Sequence, residues 1–222
     1  MQYDKTDETL LEFKKSDIFT PEKISKLMSS YLKKGGSLLE PAVGEGALLK
    51  YISLDSYSEI DLYDIKAQYL SRCPDGPNIK KHCCDFLTTQ TNNKKTTSKK
   101  YTNIILNPPY IRIQDLPEYY ISFLKNRWPE IMQGNIDIYY AFLLKCLEVL
   151  EDDGVMVAIT PNSYLYSKCA LQFRRYLIQK QLILEMIDYE SKQVFADAAV
   201  YCCITVFTKS PKTVFIYNKK EM

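Results

Sequence analysis

The chain has 222 residues, 46% of them hydrophobic and 25% charged, with a formal net charge of +2. This composition excludes a disordered polymer, and the length suits one well-filled α/β domain. No apolar run approaches the roughly 20 residues of a membrane helix, and the charged start MQYDKTDETLLEFKK has no signal core, so a cytoplasmic chain is expected.

Residues 1–19 are polar with scattered apolar positions and read as an N-terminal arm; one domain follows over 20–222. Pro21 suits the first position of a helix, with Thr20 as its cap, and Ile24, Leu27, Met28, Tyr31 and Leu32 follow at helical spacing. Gly35-Gly36 stops that helix. SLLEPAVGEGALLKYI then reads as a short strand, a glycine-bearing turn and a second helix, and EIDLYDI alternates like a strand with Asp64 near its end. QTNNKKTTSKK, residues 90–100, is a polar basic loop, either plainly solvated or in contact with phosphates.

YTNIIL is a buried strand running straight into Asn107-Pro108-Pro109-Tyr110, where two prolines force a rigid exit. Residues 138–151 have a strong apolar helical face, GVMVAIT is another buried strand, residues 169–180 are helical, and LILEMIDY is a strand. VYCCITVFTK and TVFIYN, split by Ser210-Pro211-Lys212, read as a closing hairpin. Alternating strands and helices imply a largely parallel sheet covered on both faces. The seven cysteines include no CxxC spacing and only His82 accompanies them, so buried reduced thiols are expected, and no metal site.

Open α/β sheets bind ligands beyond the carboxyl ends of their strands. Three such ends carry distinctive residues. Residues 40–46 (Glu40, Pro41, Ala42, Val43, Gly44, Glu45, Gly46) let backbone approach a ligand, and Asp64 can accept from a ribose diol. Asn107 to Tyr110 is the specific element. An amino group conjugated to a ring is a poor nucleophile. Two acceptors, the Asn107 side-chain oxygen and the Pro108 carbonyl, can take its two hydrogens and favour a pyramidal nitrogen with an available lone pair. Tyr110 adds a flat face on which a base can stack.

This ordered set resembles the DNA adenine-N6 methyltransferases of the gamma motif order, found in restriction–modification systems, and the resemblance covers residues 17–208. It implies a Rossmann-like class I methyltransferase fold, a mostly parallel seven-stranded sheet with helices on both faces and an antiparallel edge hairpin. It also implies S-adenosyl-L-methionine as cofactor and double-stranded DNA with a flipped-out adenine as partner. Phe19-Thr20-Pro21 matches a motif at the cofactor's methionine portion. Glu40, Pro41, Ala42, Gly44 and Gly46 match the cofactor loop, with glutamate replacing the usual aspartate at 40. Asp64 matches the ribose-binding acid. Asp85 and Phe86 match the pair that accepts from and packs on the cofactor's adenine. Asn107, Pro108 and Tyr110 match the catalytic set, Asn107 also touching the cofactor, while Pro109, Tyr110 and Phe195 match positions near the target base.

Other positions keep two readings. Asp85-Phe86 could simply end a strand. Asp137-Ile138-Tyr139-Tyr140 is either a helix cap with core aromatics or a lining of the cofactor pocket. For Arg112, Arg127 and Trp128 a surface or packing role is favoured over a DNA contact. Among alternative functions, release-factor glutamine methyltransferases share the four-residue motif but carry a helical domain before the cofactor loop; RNA adenine methylation and a non-catalytic DNA-binding subunit are the others. The family's target-recognition domain has no counterpart in these 222 residues, so recognition is expected from a further segment or a partner such as a restriction subunit.

Overall fold

The computed structural model describes residues 20–89, 99–195 and 200–222. The expected arm with Phe19, and residues 90–98 of the basic loop, lie outside these. Among the described residues, nine strands form one sheet: β1 (Ser37–Glu40), β2 (Glu59–Asp64), β3 (Ile79–Cys83), β4 (Tyr101–Leu106), β5 (Leu150–Pro161), β6 (Ile183–Gln193), β7 (Tyr201–Thr208), β8 (Ile216–Tyr217) and β9 (Lys220–Glu221). Their spatial order is β3-β2-β1-β4-β5-β7-β6-β8-β9. Strands β3, β2, β1, β4 and β5 run parallel, and β7 lies antiparallel between β5 and β6. The α-helices among the described residues are α1 (Glu22–Ser29), α2 (Ala67–Leu70), α3 (Glu118–Arg127), α4 (Tyr139–Val149) and α5 (Leu171–Gln179). None of them is long and apolar enough to cross a membrane.

The period of two along the strands divides the core between the sheet's faces. Leu38, Ile105, Val155, Val157, Ile159 and Ile204 pack on one side with Ile24 and Met28 of α1. Leu39, Ile104, Leu106, Met156 and Ala158 pack on the other with α3, α4 and α5. This is the class I methyltransferase architecture, mostly parallel and helix-covered, as expected.

Four details differ from expectation. First, residues 201–208 form no hairpin with residues 213–218. Both edges of β7 are taken by β5 and β6, so β8 pairs parallel with the outer edge of β6. The edge hairpin is instead β8 with β9, joined by Asn218 and Lys219, both at positive φ (43° and 68°), as a two-residue hairpin turn requires. These two short strands raise the count from seven to nine. Second, the segment after the glycine turn makes only a single 3₁₀ turn, Leu49–Tyr51, which the extended Ile52 ends. Leu48 and Leu49 are buried all the same, in the apolar cluster that holds Ile24 and Met28 of α1.

Third, Pro21 itself is the N-cap of α1 and Thr20 does not cap it. The helix stops at Ser29, before the glycines, where Ser29 and Ser30 hydroxyls donate back to the carbonyls of Lys26 and Leu27. Gly36 is required for another reason: at φ 72°, a β-carbon there would come within 2.4 Å of Thr102 Oγ1. Fourth, all seven cysteines are free, but only Cys73, Cys146, Cys202 and Cys203 are buried; Cys83 is exposed, at the end of the sheet-edge strand β3.

Candidate active site

The strand order reverses between β1 and β4, and a cleft opens there beyond the carboxyl ends of β1 to β4. Of the residues singled out from sequence, Thr20, Glu40, Pro41, Ala42, Gly44, Asp64, Asp85, Phe86, Asn107 and Pro109 line it. Pro21, Gly46, Pro108, Tyr110 and Phe195 are not part of its wall.

Glu40 ends β1 and is 1% exposed; its Oε2 is buried with no hydrogen-bond partner. Burial, then the charge of Asp64, push its pKa well above the usual carboxylate value. Gly44 follows at φ 52°, and a β-carbon built there would meet nothing within 4 Å, so the loop leaves open space above it. Asp64, at the end of β2, accepts the Gly44 N–H at 2.9 Å and the Lys66 N–H at 2.8 Å. Its carboxylate therefore stitches the glycine loop to the neighbouring strand end.

Asp85 lies two residues beyond β3. Its Oδ1 accepts the Leu87 N–H at 2.8 Å, and its Oδ2 accepts the Tyr120 hydroxyl at 2.6 Å. Burial raises its pKa, with those two bonds opposing. Phe86 is buried, edge-on to Tyr63 at 5.3 Å between centroids. Ile111, Leu116, Ile138 and Phe142 complete an apolar wall nearby. A cleft with an unpartnered buried carboxyl at one end and an acid beside an aromatic ring at the other suits a ligand with a cationic tail and a purine.

Asn107 comes directly after β4. Its Nδ2 donates to Thr20 Oγ1 at 3.1 Å, so Thr20 holds the carboxamide rather than the helix. The Tyr110 hydroxyl lies 2.8 Å from Asn107 Oδ1 and 3.1 Å from the Ile159 carbonyl, and its one proton serves either acceptor. The half-buried Tyr110 ring is edge-on to Tyr139 at 6.2 Å. Phe195 is 2% exposed, in the apolar cluster against which Tyr110 packs.

For Asp137–Tyr140 the structure divides the roles. Ile138, not Asp137, is the N-cap of α4; Tyr139 and Tyr140 are core aromatics, and Ile138 lines the cleft. The Ile138 N–H donates to the Ile111 carbonyl at 2.8 Å, which docks the stretch after Tyr110 onto the start of α4. Arg127 and Trp128 both bind Glu148, at 2.5 and 2.8 Å, and Arg112 pairs with Asp115. Those are packing and surface roles. Sequence reasoning missed Tyr120, whose short helix α3 has a weak apolar stripe. It also passed over Lys145, although a lysine inside YYAFLLKCL breaks an otherwise apolar run.

Residues 25–195 match the family described as Eco57I restriction-modification methylase. The chain belongs to that family. Type II methyltransferase M.HincII of Haemophilus influenzae is 26% identical over 181 residues, covering 80% of this chain and 34% of the relative. M.AccI of Acinetobacter calcoaceticus is 28% identical over 201 residues, covering 82% and 35%. The chain thus spans about a third of the length of these curated relatives. A type I restriction-modification methyltransferase subunit from Streptococcus thermophilus superposes with a TM-score of 0.71 at 19% identity, covering 92% of this chain and 48% of that one. This last likeness bears on the fold. The matched stretch, residues 25–195, contains every lining residue of the cleft described above except Thr20.

Proposed function

We propose that the cleft binds S-adenosyl-L-methionine and that this chain carries the catalytic core of a DNA adenine-N6 methyltransferase of a restriction–modification system. One observation carries the reading: the Asn107 carboxamide is fixed at the mouth of the cleft, held on its two ends by Thr20 and Tyr110. The family and the type II methyltransferases it resembles support DNA as the target.

The residues of the cleft fit such a cofactor. Glu40 would face the ammonium of the methionine portion, Asp64 the ribose diol, and Asp85 with Phe86 the adenine. When bound, the cofactor supplies an electrophilic methyl on a sulfonium. The protein's own share is orientation and electrostatics. Asn107 Oδ1 and the Pro108 carbonyl accept the two hydrogens of the target amino group and draw its lone pair out of conjugation. Pro109 and Tyr110 stand beside that nitrogen as contacts of the flipped base, and Phe195 backs Tyr110 through the shared apolar cluster.

Transfer of a radiolabelled methyl group from the cofactor to DNA, RNA and a release factor, followed by nucleoside analysis, tests the reading. N6-methyladenine in the DNA is expected. Asn107→Ala should lower transfer about a hundred- to thousandfold, as removal of one positioned oxyanion-hole partner does. Its cofactor affinity should hold within a few fold. Label in RNA or protein but not DNA, or half the activity kept by Asn107→Ala, would refute it.

A further inference from the structure

Lys145 is a buried charge to which methyl transfer gives no task. It stands in the middle of α4 between Leu143, Leu144, Cys146 and Leu147, all buried, and is itself 0% exposed. An ammonium survives such burial only where acceptors replace its water. Here they all come from one turn. Lys145 Nζ donates to the Thr89 carbonyl at 2.6 Å, to Thr89 Oγ1 at 2.8 Å, to the Leu87 carbonyl at 3.1 Å, and to the Phe86 carbonyl. It also lies 4.6 Å from the centroid of the Phe86 ring.

That turn, residues 86–89, directly follows Asp85. The carboxylate is fixed from its other side by the Tyr120 hydroxyl, and each of its oxygens still has a second lone-pair direction. A leucine or methionine at position 145 would fill the core without burying a charge, at the cost of leaving the Phe86, Leu87 and Thr89 carbonyls without this donor. The charge is therefore better explained by what it holds than by core packing.

We propose that Lys145 is a positioning residue: it locks the turn at 86–89 so that the Asp85 carboxylate and the Phe86 ring select a 6-aminopurine in the cleft. This rests on the cofactor reading above. The charged and titratable groups facing Lys145 are Cys84 and Asp85 beyond β3, Arg127 at the end of α3, and Cys146 and Glu148 on its own helix. Burial lowers its pKa to about 8, with Asp85 opposing. Above that pH the neutral amine has two hydrogens for four acceptors, and the charge over the Phe86 ring is gone.

Calorimetric titration of the chain with S-adenosylhomocysteine, and with the same molecule lacking its 6-amino group, tests this in wild type and Lys145→Met, with circular dichroism to check folding. Wild type at pH 7 should prefer the amino form by about tenfold or more, the scale of a hydrogen bond to a charged group. In Lys145→Met the amino form should weaken about tenfold while the deaminated form changes little, so the preference collapses. Equal weakening of both ligands, or an unchanged preference, overturns the proposal. Binding of neither ligand by wild type refutes the cofactor reading itself, before any substitution enters. If Lys145→Met does not fold, wild type measured across pH 6.5 to 9.5 decides. Its preference must fall as pH passes about 8, and a flat ratio overturns the assignment. Both ligands carry the same amino-acid tail, whose own titration cancels in that ratio.

Discussion

Asp64→Asn separates two tasks that the structure gives to one carboxylate. Both oxygens accept backbone N–H groups, from Gly44 at 2.9 Å and Lys66 at 2.8 Å. Bonds of this charged kind contribute a net ~1.5–3 kcal/mol each, and neutral ones ~0.5–1.5 kcal/mol. Asparagine keeps one acceptor, now neutral, and sets an amino group against the other N–H. The loss spans ~2–4 kcal/mol. Because Asp64 is half-exposed, water can satisfy the orphaned N–H, which favours the low end, ~2 kcal/mol. For a domain of this size that is a fall in Tm of roughly 4–8 °C. If the same carboxylate holds the ribose diol, cofactor affinity should also drop about tenfold or more. Thermal unfolding of the ligand-free chain and calorimetric titration with S-adenosylhomocysteine measure the two effects separately. A Tm unchanged within about 1 °C would refute the stitching of the glycine loop. Full affinity in a destabilised variant would refute the ribose assignment.

Glu40→Gln should raise the Tm of the ligand-free chain at pH 8 and weaken cofactor binding. Burial and Asp64 raise the folded pKa of Glu40 above 4.5, so the folded state keeps its proton longer and wild-type stability falls as pH rises from about 4.5 through the folded value. Melts between pH 5 and 8 should show a flatter slope in the variant; equal slopes would refute the orphaned carboxyl. Tyr120→Phe removes a donor that lowers the Asp85 pKa, which burial has already raised. Binding of S-adenosylhomocysteine should therefore fail at a higher pH on acidification than in wild type. An unshifted midpoint would count against Asp85 as the adenine's acceptor.

The site was legible in the sequence where function and local geometry coincide. Two prolines after a buried strand fix where Asn107 must stand, because they end the strand whatever surrounds it. Glycines at positive φ mark the loop beyond β1 for the same local reason, and Asp64 ends a strand that its own alternation betrays. Family resemblance then assigned roles to these positions. It had nothing to say about Tyr120 and Lys145, which reach Asp85 and its turn from 35 and 56 to 59 residues away along the chain.

Sequence alone determined the class of fold, the position of its buried strands along the chain, and the four-residue device at the end of β4. These depend on hydrophobic period and on backbone chemistry carried within a few residues. Tertiary structure decided the rest. It slotted β7 between β5 and β6, so that residues expected to fold back on it went to the far edge of β6 instead. It turned Thr20 from a helix cap into the partner of Asn107, a bond spanning 87 positions. It also placed a buried ammonium under the turn at residues 86–89. Strand pairing and side-chain hydrogen bonding are competitions among all groups brought close by folding, and no local window of sequence contains the competitors.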